Sequence, residues 1–158
     1  LWAGPYLYSR QMVAVRMDSE IQKLKDLTGK MIAVQETSKA EEYFLRSDFE
    51  GIPDVSLVYC FSNMDEVFAA LRKNYVEAIC GHESALISFI NTAPDEYRLL
   101  EESFLYSALG VAFDIQYDEE FVEELVKTLV DMMNDGTTAA IVGKYGLDAE
   151  KSLGRGND

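Results

Sequence analysis

Five consecutive residues, Cys80-Gly81-His82-Glu83-Ser84, place a thiol, the chain's one imidazole, a carboxylate and a hydroxyl at the end of an apolar run. A metal reading fails on spacing, because no zinc-ligand interval is present and successive strand residues face opposite ways. A nucleophile reading of Ser84 with His82 lacks the Gly-x-Ser-x-Gly frame that carries such a serine from strand into helix. Only His82 and Glu83 qualify as a general acid or base, so the chain reads as a binder rather than an enzyme. The competing bland reading makes His82 an ordinary surface imidazole and Glu83 a helix N-terminal charge. A second group, Gln35-Glu36-Thr37-Ser38-Lys39, runs straight from an apolar stretch into a helical pattern. Backbone N–H groups, two hydroxyls and a helix dipole there favour a carboxylate or phosphate, and Thr37 or Ser38 as a simple cap accounts for the same residues. Phe61-Ser62-Asn63 sets an aromatic face beside polar caps, either the lip of a cleft or core plus N-cap. Trp2, Tyr6 and Tyr8 could wall a ligand or pack on further chain.

Positioning these groups requires strands that end beside them. Gln11–Val15, Met31–Val34, Val55–Phe61 and Val76–Cys80 read as strands, the last three as buried apolar runs. Asp18-Ser19 punctuates the chain before Ile21, Leu24 and Leu27, whose spacing predicts a short helix ending at Gly29. Ser38 with Glu41 forms a capping-box pattern that opens a helix through Leu45. Asp48–Pro53 reads as loop, and Ser62 or Asn63 caps a helix with one apolar stripe of Met64, Val67, Phe68 and Leu71. Ser84–Ile90 is helical, and Tyr97–Leu100 and Leu109–Phe113 read as two strands separated by a loop. Asp118 caps the most strongly periodic helix, which reaches Gly136; Thr137–Tyr145 makes a short one, and 154–158 a polar tail. Strands alternating with amphipathic helices argue an α/β sheet covered on both faces, whose ligands bind beyond the strands' carboxyl ends.

The chain has 158 residues, with 14 Lys+Arg against 28 Asp+Glu for a net charge of −14 and a pI near 4.4. At 48% hydrophobic and 27% charged it can bury a core as one domain or two small lobes. The negative charge opposes the counterion release that drives binding to nucleic acid or anionic lipid, so neither is expected as a partner. No apolar run approaches the roughly 18 residues of a membrane span, and no signal-peptide pattern occurs. The chain opens at Leu1 inside an apolar-aromatic stretch, which reads as a piece cut from something longer. Two cysteines, Cys60 and Cys80, are no disulfide framework; buried free thiols are the simpler reading and a bridge the other.

GPYLYSRQMVAVR at 4–16, IQKLKDLTGKMIAVQETSKAEEYF at 21–44, NMDEVFAALRKNYVEAICGHESAL at 63–86, LGVAF at 109–113 and DEEFVEELVKTLVDMMNDGTTAAIVGKYGL at 118–147 closely resemble the family 3 extracytoplasmic amino-acid-binding proteins of ABC importers. The resemblance is most specific in Leu27-Thr28-Gly29-Lys30 leading to Gln35, and in Asp135-Gly136-Thr137 ahead of Lys144-Tyr145-Gly146. It implies a periplasmic-binding-protein-like type II fold, a three-layer αβα lobe joined by two crossing strands to a second lobe, closing on one small solute. Residues 1–16 would end lobe 1 and give the first crossing strand; 17–103 would be the whole of lobe 2; 104–158 would return to lobe 1, whose first part is absent.

The resemblance also implies a function: an extracytoplasmic, membrane-tethered lipoprotein that delivers a polar amino acid or related zwitterion to an ABC permease, without a cofactor or metal. The alternative is the ligand-sensing domain of a membrane-anchored receptor. The family's Gly-Thr-Thr turn for the ligand carboxylate aligns with Glu36-Thr37-Ser38, where Glu36 brings a charge that repels a carboxylate unless it points away. With Lys39, Thr37 and Ser38 are the expected carboxylate site. The family's aspartate for the ligand ammonium aligns with His82, so either Glu83 supplies the countercharge or the ligand is not an ordinary α-amino acid. Phe61 and Tyr6 are the expected covers for the ligand side chain. The family's sheet order sets the Met31–Val34 strand between those ending at Cys60 and Cys80, about 9.6 Å apart and too far for a disulfide. The aromatics at Leu1–Tyr8 and the apolar face of the Asp118 helix would be exposed in a monomer, which predicts dimerisation or segment exchange.

Overall fold

The structure is a computed structural model describing residues 1–46 and 49–154. Its elements are β1 (Trp2–Arg16), a 3₁₀ turn (Leu24–Leu27), β2 (Met31–Gln35), α1 (Lys39–Leu45), β3 (Leu57–Phe61), α2 (Met64–Arg72), β4 (Ala78–His82), α3 (Glu83–Ile90), β5 (Tyr97–Ala112), α4 (Glu119–Asn134), α5 (Thr137–Lys144) and α6 (Ala149–Ser152). One five-stranded sheet has the order β3-β2-β4-β1-β5. β2 pairs in parallel with β3 and β4, whereas β1 runs antiparallel to β4 with Gln11 opposite His82. The chain divides into two compact units, 1–9 with 106–154 and 10–105.

In the unit 10–105 the strand period of two sorts the core onto two faces. Val13, Val15, Ile32, Val34, Ala78 and Cys80 face α1 through Ala40, Tyr43 and Phe44. Met12, Ala14, Ala33 and Ile79 face α2 and α3 through Val67, Ala70, Leu71, Leu86 and Phe89. Helices on both faces of a mixed sheet make the three-layer α/β lobe that the strand and helix alternation predicts.

Several local expectations are corrected. The Ile21–Leu27 helix shrinks to the single 3₁₀ turn, because Asp26 Oδ2 accepts the Gln22 and Lys23 N–H groups at 3.0 and 2.9 Å and offers the backbone a local alternative. The two strands expected at 97–100 and 109–113 are one, β5, whose intervening Glu101 and Glu102 are exposed on an edge strand where charge is tolerated. β3 is also an edge, so Leu57, Tyr59 and Cys60 are exposed and the expectation of a buried Cys60 fails. Cys80 is buried and both thiols are free, with β2 between their strands. The short α6 was not expected. Asp48 of the expected 48–53 loop, and 155–158 of the polar tail, lie outside the described residues.

The unit 1–9 with 106–154 is held by reciprocal bonds between Leu1 and Phe113 and by the helices α4 to α6. Trp2 lies so close over Gly110 that a Cβ there would come within 2.3 Å of the indole. Among its described residues, Ala3, Val122 and Val142 are the buried apolar ones. Phe113, Tyr117 and Phe121 form a ring cluster with centroids 4.9 to 6.1 Å apart, of which Tyr117 and Phe121 are exposed.

Candidate functional site

β2, β3 and β4 are parallel neighbours, so their carboxyl ends share one edge of the sheet. Each end carries a residue group that the sequence singles out. After β2, Thr37 adopts φ 58°, a left-handed conformation that a β-branched residue rarely takes. The turn is held by Ser38 Oγ–H donating to Gln35 O at 2.6 Å and by Glu36 N–H donating to Phe61 O at 2.8 Å. Ser38 then caps α1, its Oγ accepting from Glu41 N–H at 3.2 Å, while Glu41 Oε2 accepts from Thr37 N–H at 2.7 Å. The capping box foreseen for Ser38 and Glu41 thus forms with the return bond one residue earlier. Glu36 is exposed, and Lys39 is an exposed side chain whose Nζ lies 2.5 Å from Glu42 Oε2.

Beyond β3, Phe61 is half-buried against the core face of α2 and α3. Asn63, not Ser62, caps α2, accepting from Glu66 N–H at 3.0 Å, while Glu66 Oε2 accepts from Ser62 N–H and Oγ–H at 3.2 and 3.1 Å. Cys60 is pushed up to about 11 by desolvation first, then by Glu41 and Glu36.

The end of β4 is built differently. His82 is exposed as a residue, while the adjacent Glu83 opens α3 with its side chain buried. The Glu83 carboxylate is gripped by both arms of the buried Arg10 guanidinium, Nε to Oε2 at 2.9 Å and Nη2 to Oε1. Opposite His82, the buried Gln11 places its amide nitrogen 3.0 Å from Nδ1 and 3.2 Å from Nε2 of the ring. Nearly equidistant from both ring nitrogens, the amide nitrogen lies over the face of the imidazole. Desolvation lowers the His82 pKa below its ordinary 6.5. Gln11 Oε1 is buried and has no hydrogen-bond partner among the described residues.

Thr37, Ser38, Lys39, Phe61, His82 and Glu83 therefore lie at three adjoining strand ends, whereas Tyr6 is half-buried in the other unit. Sequence reasoning missed Arg10 and Gln11. Their signal was a pair of polar residues opening an otherwise apolar strand, which calls for partners inside the fold. Among the described residues no group of His, Cys, Asp and Glu could hold a metal ion, and no helix is long and apolar enough to cross a membrane.

A mixed sheet in this order, sandwiched between helices and edged by polar strand ends, defines the type II α/β fold of periplasmic binding proteins. A family model described as "ABC transporter, phosphonate, periplasmic substrate-binding protein" matches residues 5–152, and the chain belongs to this family of extracytoplasmic substrate-binding proteins. Solved structures agree in fold. A cysteine-binding protein from Campylobacter jejuni superposes with a TM-score of 0.73 at 19% identity, over 96% of this chain and 61% of its own. An ancestral arginine-binding protein bound to glutamine gives 0.68 at 25% identity, over 91% of this chain and 62% of its own. The substrate-binding protein of an amino acid ABC transporter gives 0.66 at 24% identity, with the same coverage. The chain spans about three-fifths of the length of these structures. No curated protein matches it.

Proposed function

We propose that the chain is the solute-capturing part of an ABC importer, taking up a polar amino acid or related small zwitterion outside the cytoplasm and presenting it to a membrane permease without chemical turnover. The observation that carries the reading is the convergence of hydrogen-bonding groups on the carboxyl ends of three parallel strands, the edge at which open α/β sheets bind ligands. The family match supports it. In this reading the Thr37–Ser38 turn receives the solute carboxylate through N–H and hydroxyl groups, with Lys39 adding positive charge. Glu41, which accepts the Thr37 N–H, must yield to it. His82 faces the solute's other pole beside Glu83, whose carboxylate is bound by Arg10, and Phe61 is the aromatic that covers the solute's side chain. A lipid tether on the full-length protein belongs to the same reading.

A thermal-shift screen of the twenty amino acids and small polyamines tests it, because a ligand of the folded state raises the melting temperature. A selective rise with one polar amino acid or close analogue is expected; a flat response across the panel with the protein folded would refute capture of this solute class. We further propose that the unit 1–9 with 106–154, which buries few apolar side chains, pairs with a second copy through its exposed aromatic face, by docking or segment exchange.

A further inference from the structure

From the contacts at the end of β4, we infer that Arg10 is a positioning residue of the solute site: through Glu83 it fixes the start of α3, and with it the place of the His82 ring. The inference rests on the solute-binding reading and deepens it by naming a residue that acts on the solute without touching it. Gln11 and His82 are opposed across the antiparallel β1–β4 pair, and at the adjoining position Arg10 meets Glu83. The strand period of two puts these contacts on opposite faces of the sheet. Gln11 shares the parity of Val13 and Val15, which pack with α1; Arg10 shares that of Met12 and Ala14, which pack with α2 and α3. The strand end that carries His82 is thus held from both faces by consecutive residues of β1.

The Arg10–Glu83 pair does little for the fold that an apolar pair of similar size would not do. Both residues are 6% exposed, so both charges are desolvated, and such a pair is near break-even or worse against packed hydrophobic side chains. What it supplies is geometry. Two arms of a planar guanidinium, Nε to Oε2 at 2.9 Å and Nη2 to Oε1, fix the carboxylate in orientation as well as distance, which an apolar contact does not. Glu83 is the first residue of α3 and follows directly on His82, so this constraint reaches the ring across one peptide bond. His82 is the N-cap of α3 yet makes no side-chain cap bond, so the helix terminus does not hold the ring. The ring lies instead against the Gln11 amide, 3.0 and 3.2 Å from its two nitrogens, a contact that persists only while Glu83 stays where Arg10 puts it.

Arg10→Lys tests the inference, because it keeps the charge that Glu83 needs and removes the second arm, separating orientation from charge compensation. His82 is the chain's one histidine, so its imidazole signals in an NMR pH titration are assigned without ambiguity. In Arg10→Lys the His82 midpoint is expected to rise towards 6.5 as the ring gains solvent. Affinity for the tightest compound of the amino-acid and polyamine panel, read by isothermal titration, is expected to fall roughly tenfold, the scale on which supporting partners of binding groups act. Ile21→Val, a core truncation outside the strand ends, is expected to lower stability and leave both readouts unchanged. If Arg10→Lys fails to fold, Arg10→Met with Glu83→Leu is read in the same two ways. An unchanged midpoint or affinity in the folded variant, or the same changes in Ile21→Val, overturns the inference and leaves the solute-binding reading standing. Silence from the whole panel against the unmodified chain overturns that reading, and the inference with it.

Discussion

The buried Arg10–Glu83 pair sets the most demanding energetic condition in the chain. Two charges have left water, and their mutual bidentate contact offsets desolvation. Arg10→Ala is therefore expected to destabilise the fold by about 3–5 kcal/mol in urea denaturation, since it leaves the Glu83 carboxylate buried and uncompensated. The double replacement Arg10→Met with Glu83→Leu removes both charges and is expected to recover much of that loss. His82 adds a pH dependence whose sign follows from its lowered pKa. Above 6.5 the imidazole is neutral in both folded and unfolded chains and its contribution is fully present. As pH falls through 6.5 the unfolded chain binds a proton that folded His82 refuses, so unfolding becomes easier. Stability measured between pH 7 and pH 5 should fall less steeply for His82→Asn than for the unmodified chain. Residue types and order alone singled out His82 and Glu83, but their engagement by Gln11 and Arg10 was not legible. It depends on the antiparallel register of two strands some 70 positions apart, which no local pattern encodes.

Strands and helices were easier to read where a stripe or a cap specifies them. Met64, Val67, Phe68 and Leu71 on α2, Ser38 before α1 and Asp118 before α4 all sit where periodicity and capping chemistry put them. The two strand misreadings share a cause: β5 and β3 are edges, and an edge strand tolerates polar interruptions or exposes apolar side chains that a central strand would bury. Cysteine chemistry should follow the same division. Iodoacetamide at pH 8 should modify Cys60 on exposed β3, slowly because its pKa is about 11, and leave Cys80 untouched until the chain unfolds. Rapid double labelling of the native chain would contradict this placement. In the turn between β2 and α1, Ser38→Ala is expected to cost about 1 kcal/mol through the lost cap. Thr37→Gly should gain about 1 kcal/mol by relieving φ 58°, while weakening any solute held by the threonine hydroxyl.

Taken entire, the chain has one well-filled lobe, 10–105, and one unit whose described residues bury little apolar surface. Sedimentation equilibrium is expected to give a dimer under dilute conditions in physiological salt, where the −14 net charge is screened. A monomer at all concentrations would contradict pairing through Tyr117 and Phe121. The proposed solute capture falls at the carboxyl ends of β2, β3 and β4. Backbone amide shifts in a ¹⁵N-labelled sample are followed as the tightest compound of the amino-acid and polyamine panel is added. Saturable shifts concentrated at 36–39, 61–63 and 81–84 are expected; saturable shifts clustered elsewhere, or none from any compound, would rule out capture at these strand ends.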